Sequence, residues 1–401
     1  MKKYFIFIYL LFIMFAPFVK AEEFNITSDY VVLYNLNDDN VLYELNSDEI
    51  TQIASLTKIM ACIVAIEENK DLDEEVIITK EALEGIYEYT RIGLKVGDKV
   101  TVRDLLYGTM LPSGADAVNA LAIHTSGSID KFVTLMNEKV DKLGLKNTSF
   151  DNPVGMDSDN NYSTANDIAV ILKYGLENDA FKELFTTREY NINSLGITVK
   201  STLISYSKSY GLDVSEIDGA KSGYTDGAGL CLASVATIDD VSYLLVTMGA
   251  DTLNRSNAVR DSLTIYDYYS STYSYQEIMK KGDVLASIPI KWGKVKTYQI
   301  KATDNMELYL ENGIRKNKIK YQYDGVDELS YKIKKGDKLG TITVLYRDEK
   351  LITYDVYLED SIGYYHPVLY IVIVLSVIVM FLSLKNIIKR KKKHKHKKKK
   401  N

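Results

Sequence analysis

Apolar and polar residues alternate with two different periods along this chain, and the order of the periods predicts its architecture. Val31-Val32-Leu33-Tyr34 and Val41-Leu42-Tyr43-Glu44 flank an Asn-Asp-rich turn and read as a hairpin. The period then becomes helical. Residues 59–66 predict a helix, 101–124 are helical except for a break at Pro112-Ser113-Gly114, 128–143 end on Gly144, and 166–174 form a further helix. Strand texture returns over 223–236 and 241–248, followed by a helix over 259–269. Helices between two strand-rich ends predict an α+β unit, with an antiparallel sheet built from sequence-distant segments and packed against helices. Beyond about residue 275, short β-rich runs recur between Gly and Asp turns, at 287–290, 297–300, 307–310, 330–333, 341–346 and 351–358. These predict a small all-β module over 276–360.

The two ends follow neither period. Lys2 and Lys3 precede an apolar run over 4–15, and Val19-Lys20-Ala21 has the small residues of a signal-peptidase site, so 1–21 read as a signal peptide. Residues 368–384 are 17 uncharged residues whose polar members are Ser376 and Ser383. As a helix they would be roughly 25 Å long, which flanking Tyr364, Tyr365, Ile387 and Ile388 extend to a full membrane span over 364–388. Eleven Lys and Arg follow within 385–400. Beside a span, such a run is the positive-inside flank, which places 389–401 in the cytoplasm and the body of the chain outside it.

Charge supports that partition. Excluding both ends leaves 35 basic residues against 54 acidic ones, a net charge near −19 that argues against nucleic-acid partners. Two cysteines, Cys62 and Cys231, make no disulfide framework and read as buried thiols.

The candidate chemistry lies in three short stretches: Ser55-Leu56-Thr57-Lys58, Ser113-Gly114-Ala115 and Lys221-Ser222-Gly223. They supply a nucleophile, an amine base one helical turn away, a second hydroxyl and an anion-binding lysine, the parts of a penicillin-sensitive acyl-transfer site. Of the four histidines only His124 precedes the span, and no H-E-x-x-H is present, so the motifs call for neither metal nor cofactor. S-x-x-K also occurs at Ser128…Lys131 and Ser205…Lys208, and S-x-N at Ser158-Asp159-Asn160, whereas Lys221 begins the one K-[S/T]-G. Ser55 differs from the decoys in leading directly into the apolar run Ile59-Met60-Ala61-Cys62-Ile63-Val64. The helix carrying Lys131 reads as solvated, and Ser205 lies too near Lys221 to leave room for a motif between them.

With these motifs the chain resembles the serine-type D-alanyl-D-alanine carboxypeptidases, the low-molecular-mass penicillin-binding proteins. Leu111-Pro-Ser-Gly-Ala-Asp-Ala, Asn152-Pro-Val-Gly-Met, Tyr162-Ser-Thr-Ala-Asn-Asp and Gly219-Ala-Lys-Ser-Gly-Tyr-Thr carry the likeness through 22–275, and Lys335-Gly-Asp-Lys-Leu-Gly carries it into the β module. The resemblance implies a serine β-lactamase/DD-peptidase-like catalytic domain, an all-β domain and a C-terminal transmembrane helix, in a single-pass cell-membrane protein whose catalytic part lies outside the cytoplasm. It implies peptidoglycan stem peptides as substrate and β-lactams as covalent inhibitors. Ser55 would be the nucleophile, Lys58 its base and Ser113 a proton relay. Lys221 and Ser222 would hold the substrate carboxylate, Gly223 would complete their motif, and the backbone N–H groups of Ser55 and Tyr224 would form an oxyanion hole.

Two positions depart from the family. Ala115 stands where it usually has Asn, and Asn161 where it often has His. The missing amide predicts slower turnover and a gain from Ala115→Asn, with Asn119, read as an exposed helix residue, as a weak substitute. A β-lactamase would share the acylation residues, but no matching Glu motif for deacylation lies between the second and third stretches. A catalytically weakened penicillin- or wall-binding protein would share the fold.

Overall fold

The computed structural model describes residues 24–365 and 367–397. The expected signal peptide, 1–21, lies outside the described residues. Two compact units meet in sequence at residues 273 and 274.

The first unit opens with the hairpin β1 (Tyr30–Asn35) and β2 (Asn40–Leu45). Asp39 in the turn takes φ +57°, a left-handed conformation that Asp tolerates better than most residues. β3 (Thr51–Gln52) and one 3₁₀ turn, Ala54–Leu56, lead into α1 (Thr57–Glu68). β4 (Glu75–Ile77) pairs with β5 (Lys99–Thr101) ahead of α2 (Val102–Met110), α3 (Ala115–Ser126) and α4 (Ile129–Leu143). Thr101 and Asp104 form a reciprocal capping box on α2. Gly127 ends α3 in the left-handed region and Ser128 caps α4 through a bond from Lys131 N, so the S-x-x-K at Ser128 is a helix start. The expectation of a solvated α4 is corrected here: Phe132, Met136 and Val140 form a buried stripe at helical spacing.

β6 (Tyr162–Ser163) pairs back to β3 before α5 (Ala165–Leu176) and α6 (Asp179–Thr186). The ribbon β7 (Glu189–Ile192) and β8 (Ile197–Lys200) precedes α7 (Thr202–Tyr210). Three long strands follow, β9 (Ile217–Thr225), β10 (Gly229–Ile238) and β11 (Val241–Ala250), and α8 (Asn257–Thr272) closes the unit. The main sheet has the order β2-β1-β11-β10-β9, every neighbour antiparallel. The segment expected as one strand over 223–236 is divided by a turn at 226–228, and Lys221 to Gly223 lie inside β9, an edge strand. The Asp226-Gly227 pair is the turn signal that the apolar count conceals.

Both sheet faces are covered. Leu244, Val246 and Met248 join a helical core with Ile59 to Val64 of α1, while alternate Tyr243 and Thr247 meet Tyr266 and Ser262 of α8. That two-sided burial accounts for continuous apolar strands in place of strict alternation.

The second unit pairs β12 (Tyr273–Met279) with β15 (Met306–Glu311) and β13 (Val284–Pro289) with β14 (Thr297–Lys301). β16 (Ile319–Gly325), β17 (Lys338–Tyr346) and β18 (Glu349–Tyr357) form a meander over a core that includes Ile288, Leu329, Leu339, Ile342 and Val344. Residues 330–333, expected as a strand, form a turn closed by Ile333 N donating to Ser330 O. The pattern misses β12 and β16, where tyrosines occupy inward positions: Tyr321 and Tyr323 are half-buried while Lys320, Gln322 and Asp324 are exposed. α9 (Pro367–Lys397) ends the described chain; its segment 368–392, apolar through 384 and basic after it, is long and apolar enough to cross a membrane, and its apolar window is not buried among the described residues.

Candidate active site

Ser55 sits on the 3₁₀ turn at the entry of α1, after Ala54 at φ +47°. Lys58, one turn on, is fully enclosed, and its Nζ donates to Ser55 Oγ at 2.9 Å and to the Val154 carbonyl. Burial of the amine follows from the helix: Lys58 lies on the stretch from Thr57 to Ala65 in which every residue is buried. Desolvation, with the nearby Lys221 charge adding to it, holds the Lys58 amine well below the ordinary lysine value. Lys221 is also fully buried, and desolvation brings its amine down to about 7. Cys62, one turn beyond Lys58, remains a protonated thiol, because burial raises it to about 12.

Two backbone contacts set the floor of the site. A Cβ on Gly155 would stand 2.0 Å from the Ala54 carbonyl oxygen, and Gly155 has φ +87°, so only glycine lets this loop reach the Ser55 turn. Asn152 Oδ1 accepts from Gly155 N and Met156 N, shaping the same loop so that the Val154 carbonyl meets Lys58. On the other side, a Cβ on Gly223 would stand 2.9 Å from Ser55 N, so β9 passes directly over the serine's backbone. This apposition brings the first and third motifs together across 166 residues of sequence.

Ser113 occupies the break between α2 and α3 at φ +68°, a conformation that costs a non-glycine residue about 1–2 kcal/mol. Its neighbours hold it there: Gly114 N donates to Gly108 O, and Ala115 N to Thr90 O. Asp116, fully buried, accepts from the backbone N–H groups of Ile92, Gly93 and Leu94, tying the second motif to the 90–94 loop. Sequence reasoning passed over Asp116, although its place directly after the motif was a signal.

In β9 Lys221 Nζ donates to the Ser222 carbonyl, and Ser222 Oγ donates to Thr202 Oγ1 at 2.9 Å. Thr202 N in turn donates to Leu111 O, so the start of α7 links the third motif to the second. Tyr206 of α7 also reaches the Ser222 hydroxyl. Tyr224 is half-exposed, and the Arg255 guanidinium stacks 3.9 Å over its ring. Thr202, Tyr206 and Arg255 have no motif of their own, so only the fold reveals them.

His124 stands at the far end of α3, about 14 Å along the helix from Ala115, and faces Glu74. Asn119 is buried, 7% exposed, which corrects the expectation of an exposed residue: it lies one turn from Ala115 on α3's inner face. Asn161 is also buried. Its Nδ2 donates to Thr57 Oγ1 and Met156 O, and its Oδ1 is unpartnered among the described residues. Ser158 bonds Asp151 on an exposed loop, and Ser205 lies on α7.

Residues 17–252 match the D-alanyl-D-alanine carboxypeptidase family, and 273–364 match the C-terminal domain of penicillin-binding protein 5. The chain belongs to the D-alanyl-D-alanine carboxypeptidase family. It is a serine-type enzyme of that kind. It is 30% identical to the D-alanyl-D-alanine carboxypeptidase DacF of Bacillus subtilis, over 80% of this chain and 82% of the relative. Identity is also 30% with the carboxypeptidase DacA of Escherichia coli, over 82% and 80% of the two chains. Penicillin-binding protein 5 of Haemophilus influenzae has the same fold at a TM-score of 0.63 and 25% identity, covering 85% of this chain and 99% of that one. The Streptomyces K15 DD-transpeptidase aligns at a TM-score of 0.56 and 29% identity, over 62% and 98%.

Two expectations follow from the geometry. Gly155→Ala forces a Cβ into the Ala54 carbonyl and costs on the order of 3 kcal/mol, so thermal unfolding should move down by about 6 °C or more and penicillin acylation should slow. A wild-type melting temperature would show that the loop does not bear on the Ser55 turn. Ala115 is 0% exposed and belongs to the apolar core, which reverses the gain expected of Ala115→Asn. An amide at this enclosed position would have to displace its neighbours, and overpacking of about 1–3 kcal/mol should lower both melting temperature and kcat/KM for a D-Ala-D-Ala peptide. A rise in kcat/KM would mean that the amide reaches substrate after all.

Proposed function

We propose that this enzyme removes the terminal D-alanine from peptidoglycan stem peptides through an acyl-enzyme on Ser55, and that α9 anchors it in the cell membrane with its catalytic unit outside the cytoplasm. The observation that carries the mechanism is the 2.9 Å contact between Ser55 Oγ and an enclosed Lys58 amine whose proton affinity is lowered. A neutral Lys58 Nζ accepts the Ser55 proton as Oγ attacks the carbonyl carbon of the penultimate D-alanine. The tetrahedral oxyanion lies against the backbone N–H groups of Ser55 and Tyr224. As it collapses, the C–N bond breaks, and the proton held on Lys58 passes through the Ser113 hydroxyl to the departing D-alanine nitrogen. Water, deprotonated by the same lysine, then hydrolyses the ester and frees Ser55.

Lys221 and Ser222 receive the substrate's C-terminal carboxylate. That anion favours the charged form of Lys221, and a charged Lys221 keeps Lys58 neutral, so substrate binding and base activation reinforce each other. Ser113 lies in the break between α2 and α3 at φ +68°, and its hydroxyl is the group we assign to that relay. β-Lactams acylate Ser55 by the same attack. The apolar, unburied α9 supports the anchor.

A labelled penicillin should modify Ser55, and Ser55→Ala should abolish labelling and D-alanine release. Lys58→Ala should slow acylation roughly 10²–10⁴-fold, while His124→Ala leaves it unchanged. Label on Ser128 or Ser205, or equal losses from Lys58→Ala and His124→Ala, would refute the assignment. The acylation rate should also rise with pH as Lys58 loses its proton. Removing the neighbouring charge in Lys221→Met raises the proton affinity of Lys58, so the acid limb of that profile should move to higher pH, besides any loss in binding. A limb that stays in place would mean that the two amines do not communicate.

A further inference from the structure

The β module carries an apolar feature that the carboxypeptidase chemistry does not use. The turn between β13 and β14 reads Ile290-Lys-Trp-Gly-Lys-Val-Lys296. Trp292 is 59% exposed and Val295 58%, large apolar side chains where turns ordinarily present polar ones. Trp292 also takes φ +57°, in the left-handed region that bulky residues avoid. Backbone bonds hold it there: Lys291 N donates to Leu329 O, Lys294 N to Gly363 O, and Tyr365 N to Trp292 O. The turn is fixed, with its tryptophan outward, against an unfavourable conformation.

The same bonds locate it. Tyr365 lies two residues before Pro367, where α9 begins, so the turn is tied to the chain at the mouth of the apolar helix. Trp292, Tyr365, Tyr370 and Ile371 line one apolar hollow of about 440 Å³. The Lys291–Leu329 bond brings a neighbouring loop alongside, on which Tyr331 is 67% exposed. Lys294 and Lys296 on the turn and Lys332, Lys334 and Lys335 on that loop are exposed and have no ion-pair partner among the described residues, while Lys291 faces Glu328. Aromatic tips among free cations, on a chain about to enter a bilayer, have the composition of a membrane–water interface.

We propose that the β13–β14 turn, with Tyr331 and Tyr365, docks on the outer surface of the bilayer that α9 crosses, Trp292 and Val295 at headgroup depth and the lysines against anionic lipid phosphates. The inference rests on α9 being a span. It gives the β module a second point of attachment, which limits its swing about the end of the helix.

Trp292 is the chain's one tryptophan, so its fluorescence reports the turn alone. The full chain is reconstituted in phosphatidylcholine vesicles with or without phosphatidylglycerol, and flotation after alkaline carbonate washing reports the span separately. The expected result is strong quenching by lipids labelled near the headgroup, weak quenching by aqueous acrylamide, and about a twofold loss of lipid quenching in Lys294→Glu/Lys296→Glu or without phosphatidylglycerol. Floating protein whose tryptophan is open to acrylamide and untouched by labelled lipid overturns the docking and leaves the anchor standing. Emission shielded from both quenchers means that protein covers the turn, a second copy of this chain included, and overturns it as well. Protein that does not float overturns the anchor and the docking together.

Discussion

An amine kept out of water beside a serine is the constraint on which the rest of this structure depends. Lys58 is surrounded on a helix buried from Thr57 to Ala65, and its hydrogen bonds run to Ser55 Oγ and the Val154 carbonyl. A buried lysine is costly as a cation, and that cost favours the neutral amine, the form that can accept the serine's proton. The neighbouring buried Lys221 adds repulsion to desolvation. Stability is given up at the place where reactivity is needed, a trade common to active sites.

The surrounding fold serves to hold that amine in place. Gly155 lets the 152–156 loop approach Ala54 closely enough to offer a carbonyl to Lys58, and Gly223 lets β9 lie over the Ser55 backbone. Asp116 gathers three backbone N–H groups of the 90–94 loop and so fixes the helix break that bears Ser113. These supports are backbone contacts, which tolerate little substitution because any added atom meets main chain that cannot move aside.

Ala115 illustrates how a departure from a family pattern acquires meaning only in three dimensions. As a letter it is a lost amide; in the fold it is a closed position in the apolar core, beside a buried Asn119. Asn161 is a similar case, a polar group enclosed with one oxygen unpartnered among the described residues, where a different side chain would balance its hydrogen bonds differently.

The local chemistry and most of the elements were legible in the sequence. The break at Pro112-Ser113-Gly114 separates α2 from α3, the Asn-Asp turn joins β1 to β2, and the pairing of Ser55 with Lys58 at i and i+3 follows from helix geometry alone. Tyrosine-faced strands such as β16 escaped the pattern because tyrosine can face either inward or outward, and the Asp226-Gly227 turn was masked by apolar residues on both sides. What only tertiary structure decided was long-range. The packing of Gly223 on Ser55, the bond from Thr202 to Leu111 and the stacking of Arg255 on Tyr224 join segments that no local period relates. Periodicity reports which face of an element is buried. It carries no information about which distant segment buries it, and the two lysines' shared desolvation, on which the chemistry turns, is a property of that choice.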